Sequence, residues 1–177
     1  MQLKFKRLTD TAVKPTKAHP SDACYDLSAD EDIYLFPQHQ HAVSTGLKFD
    51  IPEGYLVSIR PRSGISLKTP IRVANTPGTV DSNYKGEIKV ILHNSAQLID
   101  DATNNVYYDL KGTAYRMSRE EMRQRKIQTL PWGTIKISKG DRIAKFKMDK
   151  LIETELVETD DVGESDRGET GFGASGV

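Results

Sequence analysis

What the chain lacks narrows its class first. Cys24 is the only cysteine in 177 residues, so no internal disulfide can form and no thiolate zinc cluster can be built. A reducing, cytoplasmic setting is the expectation. No apolar run approaches the roughly 20 residues that a membrane-spanning helix requires, so no membrane partner is expected. The opening Met1-Gln2-Leu3-Lys4-Phe5-Lys6 alternates charge with apolar residues and has no signal-peptide core, which argues against export. An excess of one charge is missing too, since 25 Lys and Arg face 25 Asp and Glu. Without a global basic field no direct nucleic-acid binding is expected, and any anion site must be local.

What is present reads as β-structure. Apolar residues recur at period two in short runs punctuated by Gly, Pro and Asp: Leu3 with Phe5, Ile33 with Leu35, Leu47 with Phe49 and Ile51, Tyr55 with Val57 and Ile59, and Ile88 with Val90 and Leu92. Half-buried strands have this pattern. Many short strands at near-regular spacing predict an all-β sandwich or jelly roll, which leaves fewer open edges than a single sheet. The length suits one domain with one core. From Ser95 to about Gly133 the alternation is lost, and Ser118 with Glu121 has capping-box spacing, predicting one short helix there. This span, 95–133, reads as an insertion projecting from a core formed by 1–94 and 134–152. Residues 153–177 are acidic at first and then glycine-rich, too poor in large apolar side chains to pack a core.

Several segments could carry chemistry, and each has a plainer structural reading. In the tail, glycines and Ser175 around Arg167 could converge on a phosphate and Phe172 could offer a flat face to a base, or the segment could be a simple chain end. Pro61-Arg62-Ser63-Gly64 follows a strand, and Ser63 there could cap a short helical turn through Leu67 that accepts a phosphate, or be an ordinary N-cap. Asn75 to Gly86 reads as a hairpin leading into the Ile88 strand. Within it Asp81 could orient a water as a general base, or serve the turn itself. Asp26 reads as a surface acid, and Asp141 with Arg142 as a hairpin ion pair. The four histidines, His19, His39, His41 and His93, lack metal-site spacing.

Taken in order, five segments resemble the motifs of the trimeric deoxyuridine 5′-triphosphate nucleotidohydrolase (dUTPase) family: Ala23 to Leu27, Pro61 to Ser66, Gly78 to Gly86, Gly140 to Ala144, and Arg167 to Gly176. The resemblance implies a jelly-roll-like β-clip fold and a homotrimer whose active sites lie between subunits and are completed by a neighbour's C-terminal arm. It implies hydrolysis of dUTP to dUMP and pyrophosphate, which limits uracil incorporation into DNA and supplies dUMP. Asp81 would hold the water that attacks the α-phosphorus, and Asp26 would hold Mg²⁺ through water. Arg62, Ser63 and Gly64 would bind phosphates. Asn75, Thr79 and Val80 would belong to the uracil-reading segment, with Tyr84 packed on the deoxyribose. Arg167, Gly173 and Ser175 would close over the γ-phosphate while Phe172 stacks on uracil.

Two departures stand out. Lys145 occupies the place where the family usually has Gln, exchanging an amide for a point charge that cannot accept a hydrogen bond. The 95–133 span is longer than the family's usual turn, as in bacteriophage members, some of which bind repressor proteins. A phage or prophage origin and a protein partner held through Arg119, Arg123, Arg125 and Lys126 are therefore expectations, against a merely solvated face. A dCTP deaminase of the same fold is a third reading, but its distinct second motif and glutamate base are not found.

Overall fold

The computed structural model of the chain describes residues 1–99, 105–166 and 168. Among these, twelve strands and two short helices occur: β1 Lys4–Arg7, β2 Tyr25–Ser28, β3 Ile33–Leu35, β4 Gln40–Asp50, β5 Tyr55–Arg60, α1 Ser63–Lys68, β6 Ile71–Val73, β7 Gly78–Val80, β8 Ile88–Asn94, β9 Val106–Tyr108, β10 Ala114–Arg116, α2 Arg119–Gln124, β11 Thr134–Ile137 and β12 Arg142–Lys150. They form three four-stranded sheets ordered β1-β4-β8-β6, β10-β9-β11-β3 and β2-β12-β5-β7. The all-β body anticipated from the alternation is present. No helix among the described residues is long and apolar enough to cross a membrane.

Period-two sequence becomes core wherever a strand has a sheet on its inner side. Along β8, Ile88, Val90 and Leu92 are buried and Lys89 is exposed, so one face supplies apolar area and the other remains wet. Leu27, Leu47, Val57, Ile59, Ile143 and Phe146 join them in one continuous cluster drawn from all three sheets. Strand β1 departs from expectation: although Phe5 pairs opposite Phe49, all four of its residues are exposed. In β4 the pairing slips between Ser44 and Leu47, where Gly46 adopts φ +64°. A Cβ there would lie 2.6 Å from Asp30 Oδ2 and 2.7 Å from Ala12, so the close approach of the N-terminal segment requires glycine.

The 95–133 span is not a projecting module. Two strands that the alternation did not reveal lie within it, and β9 pairs in parallel with β11, placing Tyr107 opposite Thr134 and Tyr108 opposite Ile135. The expected helix is present, with the Ser118 side chain accepting from Glu121 N and the Glu121 carboxylate accepting from Ser118 N. Behind it Met117, Met122 and Leu130 are buried in a second cluster completed by Tyr34, Phe36, Tyr107 and Ile127. Where the span leaves and rejoins the body, Asn94 Nδ2 donates to Leu35 O and Gly133 O, both at 2.9 Å. Excising it would strip the β11 edge and the aromatic face of β3, so the described part of the span is built into the body rather than projecting from it.

Two stability predictions follow from this packing. Met117→Ala empties a site 2% exposed and should lower the unfolding free energy by about 2–4 kcal/mol, the range for large-to-small core changes; urea unfolding giving less than about 1 kcal/mol would mean that the second cluster is loosely packed. The other concerns Asp30, where burial raises the pKa but the hydroxyls of Thr11 and Thr9 and the charge of Lys139 outweigh it, leaving the carboxyl below its ordinary 3.8. A depressed native pKa contributes stability above the unfolded value that is lost as pH falls through the native one. Thermal unfolding should therefore shift downward on acidification below about pH 4, and Asp30→Asn should flatten that slope; equal slopes in both proteins would count against it.

Candidate active site

Asp26 lies on β2, where strand pairing places it opposite Lys145, which in turn faces Arg60 on β5. It is buried rather than a surface acid. Its Oδ1 accepts from Arg62 Nε at 3.0 Å and its Oδ2 from Arg142 Nη1 at 3.2 Å. Arg62 Nη1 also donates to Arg142 O at 3.2 Å. The Asp141–Arg142 ion pair expected from adjacency does not form, because Asp141 Oδ2 instead accepts from Ser138 N at 2.8 Å and closes the turn before β12. One buried carboxylate thus draws residues from β2, the start of α1 and the start of β12 to one point.

Arg62 is the N-cap of α1 in extended conformation, and no side chain caps that helix. Ser63 is the first helical residue, so its reading as the cap is corrected; it and Gly64 stand exposed at the helix start beside Arg62. The helix ends where Thr69 N and Oγ1 both donate to Ile65 O, at 2.9 and 2.8 Å.

The Asn75 to Gly86 segment is not a hydrogen-bonded hairpin. Its first strand, β7, pairs with β5 in one sheet, whereas β8 pairs with β4 and β6 in another, so the chain crosses between sheets here. Asn75 folds over Gly78, where a Cβ would meet Asn75 Nδ2 at 3.2 Å. Thr79 and Val80 run along β7, an edge strand whose outer side has no sheet partner among the described residues. Asp81 is exposed just beyond it, and its carbonyl accepts from Tyr84 N at 3.1 Å. The Tyr84 ring lies across Gly86, its hydroxyl donating to Glu87 O at 2.9 Å, and a Cβ on Gly86 would collide with that ring.

These residues form two groups. Asp26 is level with Arg60, while Asp81 follows Val80, which faces Val57. Three strand spacings and four residues along the strand place the backbones of the two residues roughly 20 Å apart. Arg167, Phe172, Gly173 and Ser175 lie outside the described residues.

A cavity of about 530 Å³ opens beside Arg62, lined by α1, the β9–β10 turn and the ends of β11 and β12. Sequence reading missed this wall, although Asp109-Leu110-Lys111-Gly112-Thr113 between two aromatic-rich triplets is a hairpin signal. The Asp109 carboxylate braces the turn, accepting from Lys111 N at 2.8 Å and Thr113 N at 2.9 Å. Burial works against its charge, but those amides and the Tyr115 hydroxyl hold its pKa below the ordinary range.

No group of three His, Cys, Asp or Glu side chains able to hold a metal ion occurs among the described residues. An ion held by protein alone therefore does not fit here. A carboxylate has about four lone-pair sites, so Asp26 can accept from two guanidiniums and still receive a water. That suits Mg²⁺ bound mainly by a ligand's phosphates and its own waters.

Comparison with known proteins follows the same residues. The dUTPase family model matches residues 10–100. A deoxyuridine 5′-triphosphate nucleotidohydrolase of Nautilia profundicola is 48% identical over 94 residues, covering 53% of this chain and 66% of that one, so the chain spans just under two thirds of this curated relative. A mutant dUTPase of Staphylococcus bacteriophage 80alpha, solved with dUpNHpp, superposes with a TM-score of 0.87 at 29% identity over 99% of both chains. A mutant dUTPase from phage phi11 of S. aureus, described as coordinating a structural Mg(II) ion, gives 0.81 at 26% identity over 93% of this chain and 100% of that one. Half of the chain, including Asp26, Arg62, Asp81 and Tyr84, falls within the matched model, and the fold agrees over nearly all of the rest: the chain belongs to the dUTPase family.

Proposed function

We propose that the chain hydrolyses dUTP to dUMP and pyrophosphate in sites assembled between copies of itself. The separation of Asp81 from the Asp26–Arg62–Arg142 cluster carries this reading. Groups that act on one reacting phosphorus must converge within hydrogen-bond reach of it or of a bridging water, and roughly 20 Å along and across one sheet is too far. A second copy, in a homotrimer, brings Asp81 of one chain to Arg62 of another.

In that site the edge of β7 offers main-chain groups to uracil, with Asn75, Thr79 and Val80 shaping the slot. Tyr84, held over Gly86, packs on the deoxyribose and leaves no room for a 2′-hydroxyl. Arg62, its guanidinium oriented by Asp26, and the exposed Ser63 and Gly64 hold the phosphates. Asp81 accepts a proton from water as the water oxygen bonds the α-phosphorus in line. The bond from that phosphorus to the bridging oxygen breaks, and pyrophosphate leaves with the bonding electrons. Asp26 would hold Mg²⁺ through water, and the ion would supply charge neutralisation for the triphosphate. Arg167, Gly173 and Ser175 of the arm close over the γ-phosphate and Phe172 stacks on uracil, excluding bulk water. The core of 1–94 and 134–152, the 95–133 insertion and the 153–177 arm are the working division of the chain, in a cytoplasmic setting. A partner held by the basic face of α2 has weaker support, because Arg123 is paired with Glu120 at 3.1 Å and the Arg125 guanidinium lies 5.2 Å from the centre of the Tyr34 ring.

Pyrophosphate release from dUTP, dCTP, dTTP and UTP tests the reading; Asp81→Asn should keep dUTP affinity and lower kcat by about a hundredfold or more. Turnover unchanged in that variant would remove Asp81 from the reaction. A mixing experiment tests the shared site. Asp81→Asn and Arg62→Ala chains, each nearly inactive alone, should recover activity when refolded together, because some sites then combine an intact Asp81 with an intact Arg62. Persistent inactivity of the mixture would place both groups in a single chain's site.

A further inference from the structure

Directly opposite residues of a sheet point to one face, so the third sheet resolves into rows of side chains. One row is Asp26 on β2, Lys145 on β12 and Arg60 on β5, and the next is Lys147, Ser58 and Thr79. Both rows lie on the face turned away from the core, since the alternate positions Ala144, Phe146, Val57 and Ile59 are buried in it.

The cations of this face are not all matched. Lys147 pairs with Asp149, which also accepts from the Ser58 hydroxyl, and Arg62 and Arg142 share Asp26. Arg60 and Lys145 have no carboxylate within 4.0 Å among the described residues. They nevertheless stand directly opposite each other, a placement in which Cβ atoms are about 4.5–5.5 Å apart and like charges destabilise a sheet. An anion between them would remove that cost. Arg60 is exposed and Lys145 half-buried, so both can be reached from outside. Around Asp26 four cations, Arg60, Arg62, Arg142 and Lys145, thus meet one carboxylate. Such an excess attracts a polyanion and repels a free metal ion.

We propose that Arg60 and Lys145 determine affinity for the substrate's triphosphate by supplying charge neutralisation that would otherwise fall to Mg²⁺, so that the chain binds a nucleoside triphosphate without the metal. The inference rests on the hydrolase reading for the placement of phosphate near Arg62. The two cations differ in what they offer: the lysine is a compact point charge beside Asp26, and the arginine is a fork that can hold two oxygens at once. Mg²⁺ can still join through the phosphates and a water on Asp26, but binding no longer waits for it.

Calorimetric titration of the full chain with dUpNHpp, in EDTA and in saturating Mg²⁺, tests this. Binding should be measurable in EDTA and should weaken as salt rises. Lys145→Gln and Arg60→Gln should each weaken metal-free binding by about tenfold or more, the low end for losing a close charge pair, and by about threefold or less when Mg²⁺ supplies the neutralisation. Lys145→Arg, which keeps the charge, should restore metal-free binding to near the unaltered value. Thermal unfolding without ligand gives a second reading, because removing one of two opposed like charges should leave Tm unchanged or raise it. No binding in EDTA, equal weakening with and without Mg²⁺, or failure of the arginine rescue would overturn the inference. So would a lower Tm in Lys145→Gln, which would mean that a protein carboxylate, such as one from the acidic arm of another copy, already neutralises the pair. Absence of pyrophosphate release by the unaltered chain would sink the hydrolase reading alone, whereas turnover with unchanged binding in both variants would sink only the role of the pair.

Discussion

A single buried carboxylate organises the chemistry of this chain. Asp26 accepts from Arg62 and Arg142, and removing both arginines would leave its buried charge without a partner. Because β2, α1 and β12 each supply one member, the start of α1 is held against the third sheet by electrostatics as well as by the burial of Ile65. Residues that would touch phosphate are thereby oriented before any phosphate arrives, which reduces what must be ordered when a ligand binds.

The inserted span belongs to the same construction. Its strand β9 extends the sheet through β11, its methionines cover β3, and its turn reaches α1. An addition that began as a loop would have been free to vary in position. This one shares hydrogen bonds and core with the body, and its tip abuts the helix that begins beside Arg62.

Much of this was legible in the chain itself, and the failures have physical reasons. Strands such as β8 were readable because one face is buried and one is wet, which writes alternation directly into Ile88, Lys89, Val90. The α2 helix was readable because its first turn is closed by its own Ser118 and Glu121. Strands β9 and β10 were not, since a three-residue strand with half-buried or exposed side chains has no room to alternate. The burial of Asp26 was invisible because its partners lie 36 and 116 residues away, and adjacency suggested Asp141 for Arg142 instead. The supposed hairpin at Asn75 to Gly86 failed for a related reason: turn chemistry shows that the chain reverses, but not which sheet receives the next strand.

The pairing of β2 with β12 has a consequence for synthesis. Leu27 finds Ala144, and Asp26 finds Lys145, only after most of the chain has been made. At roughly 5–20 residues per second, the first sheet's strands have a few seconds in which to associate before β12 is made. The last long strand to emerge from the ribosome is the one that brings Arg142, buries Asp26 and closes the sheet. Premature termination anywhere before β12 therefore yields a chain that cannot complete its Asp26–Arg62–Arg142 cluster, so that charge network forms in one late step rather than accumulating along the way.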